Sequence, residues 1–182
     1  MKIQIVEVKT KEDLYNLRNL EDGKAIIILN DDIDLSDIKE FPSIDLPRCS
    51  VVIYGRGHKI KNLNIDEEDT VGLFSDVKDL YVRNLNIENA NIKGICEAGI
   101  LAGSVNGTLD IKSSTFSGTV TSEFLAGSIA GIAKNLRIKD TKVDVKVTTE
   151  DYTEGIASLT LDEKVKRLTN NTEYIINGNR LI

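Results

Sequence analysis

The chain has 182 residues and a formal net charge of −6, and 41% of its residues are hydrophobic, with no tryptophan among them. This length is typical of one domain. No stretch approaches the roughly eighteen consecutive apolar residues of a membrane-spanning helix, and the acidic balance argues against direct binding of nucleic acid.

The first element that the sequence predicts is a short amphipathic helix over residues 10–22. Thr10 followed by Asp13 is typical of a capping box, in which each side chain bonds the backbone N–H of the other residue. The apolar face of the helix consists of Leu14, Leu17 and Leu20. Gly23 suits the end of such a helix.

An acidic segment follows the helix. Residues 21–45 contain eight acids and two lysines, and this local balance of −6 equals the charge of the whole chain. We predict that a protein with a basic surface docks on its exposed acids, which are Asp31, Asp32, Asp34, Asp37 and Glu40. The alternative is that these acids only keep an exposed first coil soluble. A calcium loop is not predicted, because Asp37 and Ser43 stand where an EF-hand starting at Asp32 needs Gly and Glu.

The single histidine, His58, lies directly after Gly55 and Gly57. This pattern lacks the third glycine of a dinucleotide-binding loop and precedes a strand pattern, so it predicts a turn and no nucleotide site. His58 has no identifiable orienting partner and is not expected to act as a general base. Cys49 and Cys96 have neither a neighbouring histidine nor a CxxC spacing, so no metal or cofactor is expected, and they could be paired or free.

A leucine followed two positions later by an isoleucine occurs four times. The leucines are Leu63, Leu85, Leu109 and Leu136, and the interval from each to the next increases along the chain. Alternating apolar residues are typical of a strand with one buried face. Because the intervals are too long for hairpins, the pattern predicts a coil of parallel strands with the four leucines in one internal column. At roughly 24 residues per coil, the chain has room for about seven coils.

Glycines recur at a similar interval. They are Gly72, Gly99, Gly127 and Gly155, which are almost evenly spaced. Glycine allows the backbone to bend or to approach another backbone closely. Two interleaved repeats of similar length indicate one structural unit, so we predict an all-β fold, a parallel β-helix with roughly 22–28 residues per coil.

This solenoid is predicted to be one domain over residues 1–182. Residues 10–22 cap its N-terminal end, residues 24–149 form its coils, and residues 150–182 form a C-terminal coil or cap. In the last part, residues 161–168 could be a second helix or an irregular coil, followed by a strand near residues 174–176. Caps are needed because the ends of a solenoid expose unpaired strand edges. Pro42 and Pro47 are expected to lie outside the repeats.

The order of these features resembles the GLUG-type repeat modules of bacterial surface proteins. The matching segments are Glu12-Asp13-Leu14, residues 30–35, residues 55–65 and Gly72-Leu73-Phe74. The resemblance covers residues 10–147 and implies a right-handed parallel β-helix that acts as a spacer or a binding surface. It also implies export, whereas residues 1–7 contain no apolar segment of signal-peptide length. We therefore predict a cytoplasmic protein, with an exported protein that has lost its leader as the alternative.

Polysaccharide cleavage is the enzymatic activity most compatible with a β-helix. It needs carboxylates at the same place on successive coils. The residues after the four Leu-x-Ile copies are Asp66, Glu88, Lys112 and Lys139, so only one neighbouring pair is acidic. A solvated ladder of mixed charge explains this pattern, and no enzymatic activity is expected.

Two hypotheses about function follow. In the first, the chain is an anti-CRISPR-like inhibitor from a phage or mobile element, and its acidic surface docks on a basic nucleic-acid-binding protein of the host. In the second, it is an exported adhesin or carbohydrate-binding module, in which exposed tyrosines such as Tyr81 or Tyr152 contact sugars or another subunit. The first hypothesis predicts binding that depends on the five acids, and the second predicts binding to a strand face.

Overall fold

The computed structural model describes residues 2–149 and, beyond them, the strand segments 152–153, 157–160, 173–176 and 179–180. The helix α1 is Lys11–Asn16, and a 3-10 turn, Leu17–Asn19, continues it. The strands are β1 (Ile3–Val8), β2 (Gly23–Leu29), β3 (Ile33–Asp34), β4 (Ile44–Tyr54), β5 (Lys59–Lys61), β6 (Asn64–Asp66), β7 (Phe74–Arg83), β8 (Asn86–Lys93), β9 (Glu97–Ala98), β10 (Ala102–Lys112), β11 (Thr115–Ser122), β12 (Leu125–Ala126), β13 (Ala130–Lys139), β14 (Lys142–Thr149), β15 (Tyr152–Thr153), β16 (Ala157–Thr160), β17 (Glu173–Ile176) and β18 (Asn179–Arg180).

Three sheets form the walls of a parallel β-solenoid. The first has seven strands in the order β1-β2-β4-β7-β10-β13-β16. The second has eight strands and contains β3, β5, β6, β8, β11, β14, β17 and β18, and the third has the order β15-β12-β9. Neighbouring strands such as β7 and β10 pair in parallel and lie one coil apart in sequence. The predicted parallel solenoid is thereby confirmed, with about five coils between β2 and β16.

The register of the first sheet corrects the predicted core column. Leu109 pairs with Leu136, as predicted, but its partner on the preceding coil is Leu80. Leu63 lies between β5 and β6, and Leu85 lies directly before β8, so both belong to the second sheet. All four predicted leucines are buried. They do not share one column, and this prediction was wrong.

The asparagine before each of the first two leucines explains the error. Asn62 and Asn84 have φ angles of 58° and 51°, in the left-handed region that asparagine tolerates better than most residues. They turn the chain, so the leucine that follows each of them enters the core from a bend. Asn135, by contrast, lies inside the straight strand β13. The same short motif therefore occupies two different positions of the coil.

The true inner column gives longer coils than the sequence pattern did. Its members are Ala25, Val51, Leu80, Leu109 and Leu136, and every interval between them exceeds the predicted coil of roughly 24 residues. A second inner column consists of Ile27, Ile53, Val82, Ile111 and Ile138. Both columns are buried, and burial of these aliphatic side chains is the main force that holds the coils together. Longer coils and the helical first turn explain why the described part of the chain has about five coils between β2 and β16 and not seven.

The glycine repeat is confirmed for three of its four members. Gly72, Gly99 and Gly127 directly follow residues that pair across neighbouring coils, so they lie over one another. A Cβ on Gly72 would lie 2.6 Å from the carbonyl oxygen of Gly99, which leaves no room for a side chain. Gly155 lies outside the described residues, as does the possible second helix at residues 161–168.

The N-terminal capping helix is confirmed but is shorter than predicted. The Thr10 hydroxyl accepts the N–H of Asp13 at 3.1 Å, and a carboxylate oxygen of Asp13 accepts the N–H of Thr10 at 2.9 Å. The helical part ends at Asn19 instead of residue 22. The helix buries Leu14 and Leu17. Strand β1, which the sequence pattern did not reveal, precedes the helix and pairs with β2.

Pro47 lies inside β4, and the expectation that it lies outside the repeats was wrong. The pairing of β4 with β7 is irregular between Leu46 and Ser50. A proline has no N–H to donate, so it is accommodated at such an irregularity, where regular pairing is interrupted. Regular pairing resumes at Ser50 and continues to the end of the strand.

Polar side chains of successive coils bond one another along the solenoid axis. The side-chain oxygen of Asn62 accepts the amide of Asn89 at 2.7 Å, and that of Asn64 accepts the amide of Asn91 at 2.6 Å. The hydroxyl of Thr119 then donates to Asn91 at 2.8 Å. These ladders satisfy outward-facing polar groups and fix the coils relative to one another.

Candidate binding surfaces

The predicted acidic surface lies on the first coil, around β3. Asp32 Oδ1 accepts the N–H of Lys59 at 3.0 Å and lies 3.3 Å from Nδ1 of His58. Asp34 accepts the side-chain amide of Asn62 at 2.8 Å. Because Lys59, His58 and Asn62 belong to the next coil, these carboxylates connect the first coil to the second.

The other predicted docking residues also have partners. Asp37 pairs with Lys11, and Glu40 lies 3.4 Å from Lys39 Nζ. Asp31 accepts the N–H of Asp32 at 2.8 Å. Neighbouring lysines thus neutralise part of the negative charge. Docking of this surface on a basic protein stays a prediction.

The contacts of Asp32 and Asp34 predict how stability depends on pH. The N–H of Lys59 lowers the pKa of Asp32, and the amide of Asn62 lowers the pKa of Asp34, from an ordinary value of 3.8. A carboxyl group whose pKa is lowered in the folded state stabilises the fold above its unfolded pKa, and this contribution is lost as the pH falls through the folded pKa. We expect the melting temperature to be level above about pH 5 and to fall below about pH 4.

The double variant Asp32→Asn, Asp34→Asn tests this origin of the acid sensitivity. Its melting temperature, followed by circular dichroism from about pH 2 to pH 7, should fall less steeply on the acid side than that of the wild type. Equal slopes for the two proteins would show that the acid sensitivity arises at other groups.

His58 lies in the predicted turn, where its backbone N–H donates to the carbonyl oxygen of Gly55 at 2.9 Å.

Cys49 is buried, Cys96 is partly buried, and both are free thiols. Desolvation raises the pKa of both thiols, which lowers their reactivity as thiolates. Over residues 2–149, no group of three His, Cys, Asp or Glu side chains is placed to hold a metal ion.

The register separates the two acids that the sequence pattern placed together. Asp66 lies 3.2 Å from Lys93 Nζ, and Glu88 lies 2.9 Å from Lys59 Nζ. Each acid therefore faces a base on a neighbouring coil, and the alignment of Asp66 with Glu88 was wrong. The expected ladder of mixed charge is present, although its members differ from those predicted.

The outer face of the seven-stranded sheet carries a surface of which the sequence analysis had named only Tyr81. A shallow groove of about 420 Å³, here called the tyrosine groove, is lined by Lys24, Ser50, Val52, Tyr54, Tyr81 and Arg83. Val52 pairs with Tyr81, and Tyr54 pairs with Arg83. Because side chains alternate across a strand, these residues point outward, on the opposite face of the sheet from the two inner columns. Tyr54 is 45% exposed.

The groove has an aromatic wall and a fixed polar rim. Arg83 is held in place, since its Nη2 lies 2.7 Å from Asp110 Oδ1 and its Nη1 donates to the carbonyl oxygens of Val82 and Asp110 at 2.9 Å. The hydroxyl of Ser50 donates to Asp79 at 2.8 Å. Tyrosine offers a flat apolar face and a hydroxyl group. The groove can therefore bind a molecule that has both an apolar face and hydroxyl groups.

A column of cations continues from the groove along the solenoid axis. Tyr54 pairs with Arg83, Arg83 with Lys112, and Lys112 with Lys139. These three cations, Arg83, Lys112 and Lys139, are here called the basic ladder. Lys112 and Lys139 are exposed, and no carboxylate of the described side chains forms an ion pair with either of them. Arg137, two positions before Lys139, is also exposed on this face.

The fold and its register define the class of this protein as a parallel β-solenoid. Halomucin from Haloquadratum walsbyi (strain DSM 16790 / HBSQ001) is 41% identical to the chain over 80 residues, which is 42% of this chain and 1% of halomucin. The chain thus spans about 1% of the length of this curated relative.

No family model and no solved structure matches the chain. The resemblance to GLUG-type modules is accordingly not confirmed beyond the shared solenoid architecture. Among the helical residues that the structure describes, none belongs to a helix long and apolar enough to span a bilayer.

Proposed function

We propose that this chain is a non-catalytic binding module of a surface protein and that it binds carbohydrate in the tyrosine groove. The observation that carries the proposal is the groove itself, in which Tyr54 and Tyr81 line one open sheet face. The similarity to halomucin supports it, because the shared stretch fits a repeat of a surface protein. A location at the cell surface belongs to this proposal and replaces the cytoplasmic location predicted from the sequence.

A sugar ring has one face of C–H groups and a rim of hydroxyls, and the groove offers a complement to both. The phenol rings of Tyr54 and Tyr81 can pack against the C–H face. Lys24 and Ser50 lie on the same groove and can hydrogen-bond the hydroxyls. The groove is built on paired strands, so a ligand does not have to order a loop when it binds.

The carboxylates beside the groove support binding over hydrolysis. Asp110 holds Arg83, and Asp79 accepts both the hydroxyl of Ser50 at 2.8 Å and the N–H of Thr108 at 2.9 Å. Glycoside hydrolysis needs two carboxyl groups that face the scissile bond. Here both carboxylates hold neighbouring protein groups.

The inhibitor hypothesis gains no support from the comparisons. Its proposed docking residues, such as Asp32 and Asp34, are also the ones that connect the first two coils. Their contacts give them a structural role that does not depend on a partner.

The double variant Tyr54→Ala, Tyr81→Ala tests the carbohydrate hypothesis. Aromatic residues at the centre of a binding site often contribute most of the affinity, so we expect binding to a panel of immobilised polysaccharides to weaken by more than about tenfold. The melting temperature should stay close to that of the wild type, because both side chains lie on the surface.

Phe124→Ala is a matched control. Phe124 is 50% exposed and lies directly before β12, on another wall of the solenoid, so its loss should not change saccharide binding. If the wild type binds no polysaccharide of the panel, or if all three proteins bind equally, the groove is not a carbohydrate site.

A further inference from the structure

We infer that the ligand of this face is an acidic polysaccharide that lies along the solenoid axis, from the tyrosine groove to Lys139. The inference rests on the proposed function and adds to it the charge and the direction of the ligand. It follows from the position of the basic ladder, whose first member, Arg83, is also part of the groove.

The spacing of the ladder suits a linear polymer. Strands of a sheet lie about 4.8 Å apart, so the backbone positions of Arg83, Lys112 and Lys139 recur at regular steps along the axis. One sugar unit of an extended polysaccharide has a similar length. Acid groups on successive sugars can therefore meet successive cations while a sugar at one end packs on Tyr54 and Tyr81.

The charges of the ladder are unevenly compensated. Asp110 neutralises Arg83, but within residues 2–149 no acid pairs with Lys112 or Lys139. Like charges at corresponding positions on adjacent strands destabilise a sheet. An anionic ligand would relieve this repulsion, and the unpaired part of the ladder is accordingly where we place its acid groups.

Single-stranded nucleic acid is the other polyanion that could use cations together with aromatic rings. The observations favour a polysaccharide. The polar rim formed by Lys24 and Ser50 suits hydroxyl groups, the whole chain carries a net charge of −6, which repels nucleic acid, and the halomucin stretch fits a surface protein.

The experiment compares two ligands that share one sugar backbone, one with carboxylates and one with uncharged methyl esters. Polygalacturonate carries a carboxylate on each sugar, and its fully methyl-esterified form has the same backbone without charge. Binding of both ligands is measured by calorimetry at low and high salt for the wild type and two variants. The ladder variant, Lys112→Glu, Lys139→Glu, reverses the charge of two of the three ladder residues. The β14 variant, Lys142→Glu, Lys146→Glu, makes the same change of charge at exposed positions of β14, on the second sheet.

We expect the wild type to bind polygalacturonate at least about tenfold more tightly than the esterified form at low salt, and to lose this preference at high salt. The ladder variant should lose about tenfold in affinity for polygalacturonate, and the β14 variant less than about twofold. Equal losses in the two variants would overturn the inference, because the attraction would then be non-specific.

The other outcomes separate the inference from the proposed function. In one outcome, the wild type binds polygalacturonate and its esterified form equally, and the double variant Tyr54→Ala, Tyr81→Ala binds neither. That result would overturn the inference and leave the carbohydrate site in place. Binding of neither ligand, nor of any neutral polysaccharide, by the wild type would overturn both. Tighter binding of single-stranded DNA than of polygalacturonate, lost in the ladder variant, would assign the face to nucleic acid and also overturn the inference.

Discussion

Replacing Gly99 by alanine should destabilise the solenoid by about 3 kcal/mol or more. The added methyl group would lie 2.6 Å from the carbonyl oxygen of Ala102 and from the backbone nitrogen of Ala130. Both are backbone atoms, which cannot rotate away as a flexible side chain can. Two neighbouring coils would have to separate at this corner, and the inner columns on either side would lose contact.

Gly57→Ala is the matched control for this substitution. A Cβ on Gly57 would meet no atom within 4 Å, and the residue has a φ of +85°, so only backbone strain of about 1–2 kcal/mol is expected. Urea unfolding followed by circular dichroism gives both values. Equal destabilisation by the two substitutions would contradict close backbone approach as the reason for glycine at position 99.

Phe116→Ala should destabilise the fold by about 3–5 kcal/mol. Phe116 is 1% exposed and stands in an inner column of the second sheet, between Ile87 on the preceding coil and Val143 on the following one. Truncation removes a large apolar surface and leaves a cavity that paired strands cannot close. Urea unfolding should show a lower midpoint.

Phe124→Ala serves as the control here too, because Phe124 is 50% exposed and its truncation should cost less than about 0.5 kcal/mol. Solenoids can unfold in parts, since each coil contacts only its neighbours. A second unfolding step in Phe116→Ala would show that the core has split at this coil. A loss as small as that of Phe124→Ala would contradict the inner column.

The sequence predicted those features that a single short segment determines. The capping box at Thr10 and Asp13 needs only four consecutive residues, and the structure contains it. The glycine column was found because glycine recurs on three successive coils, at Gly72, Gly99 and Gly127. At Gly72 and Gly99, neighbouring backbone atoms leave no room for a side chain. Strand alternation likewise identified inward-facing positions such as Ile87 and Ile111.

The register could not be read in the same way. The interval from Val51 to Leu80 is longer than that from Leu109 to Leu136. The pairing shifts by a residue inside strands, as between Val105 and Thr108 of β10, so the interval is not constant even along one strand pair. An inward-pointing leucine fits the Leu-x-Ile pattern in any of the sheets, so Leu85 of the second sheet was aligned with Leu109 of the first. The left-handed conformation of Asn84 distinguishes the two positions, and asparagine by itself only permits that conformation.

Apart from Tyr81, the residues of the tyrosine groove and the basic ladder were missed for the same reason. Tyr54, Arg83, Lys112 and Lys139 are each one coil from the next, and with the wrong register they do not form a column. Lys112 and Lys139 were aligned correctly, but their neighbours appeared to be acids. Outward-facing residues also vary more in type than inward ones, so composition gave no independent sign of the column.

The asparagine and threonine ladders have a consequence for how the protein bears mechanical load. Tension applied along the solenoid axis pulls one coil away from the next, so the coils would separate one after another. The bonds from Asn64 to Asn91 and from Asn91 to Thr119 run in the direction of that tension. They add hydrogen bonds between coils at the outer surface, and so make the solenoid more resistant to unfolding under tension.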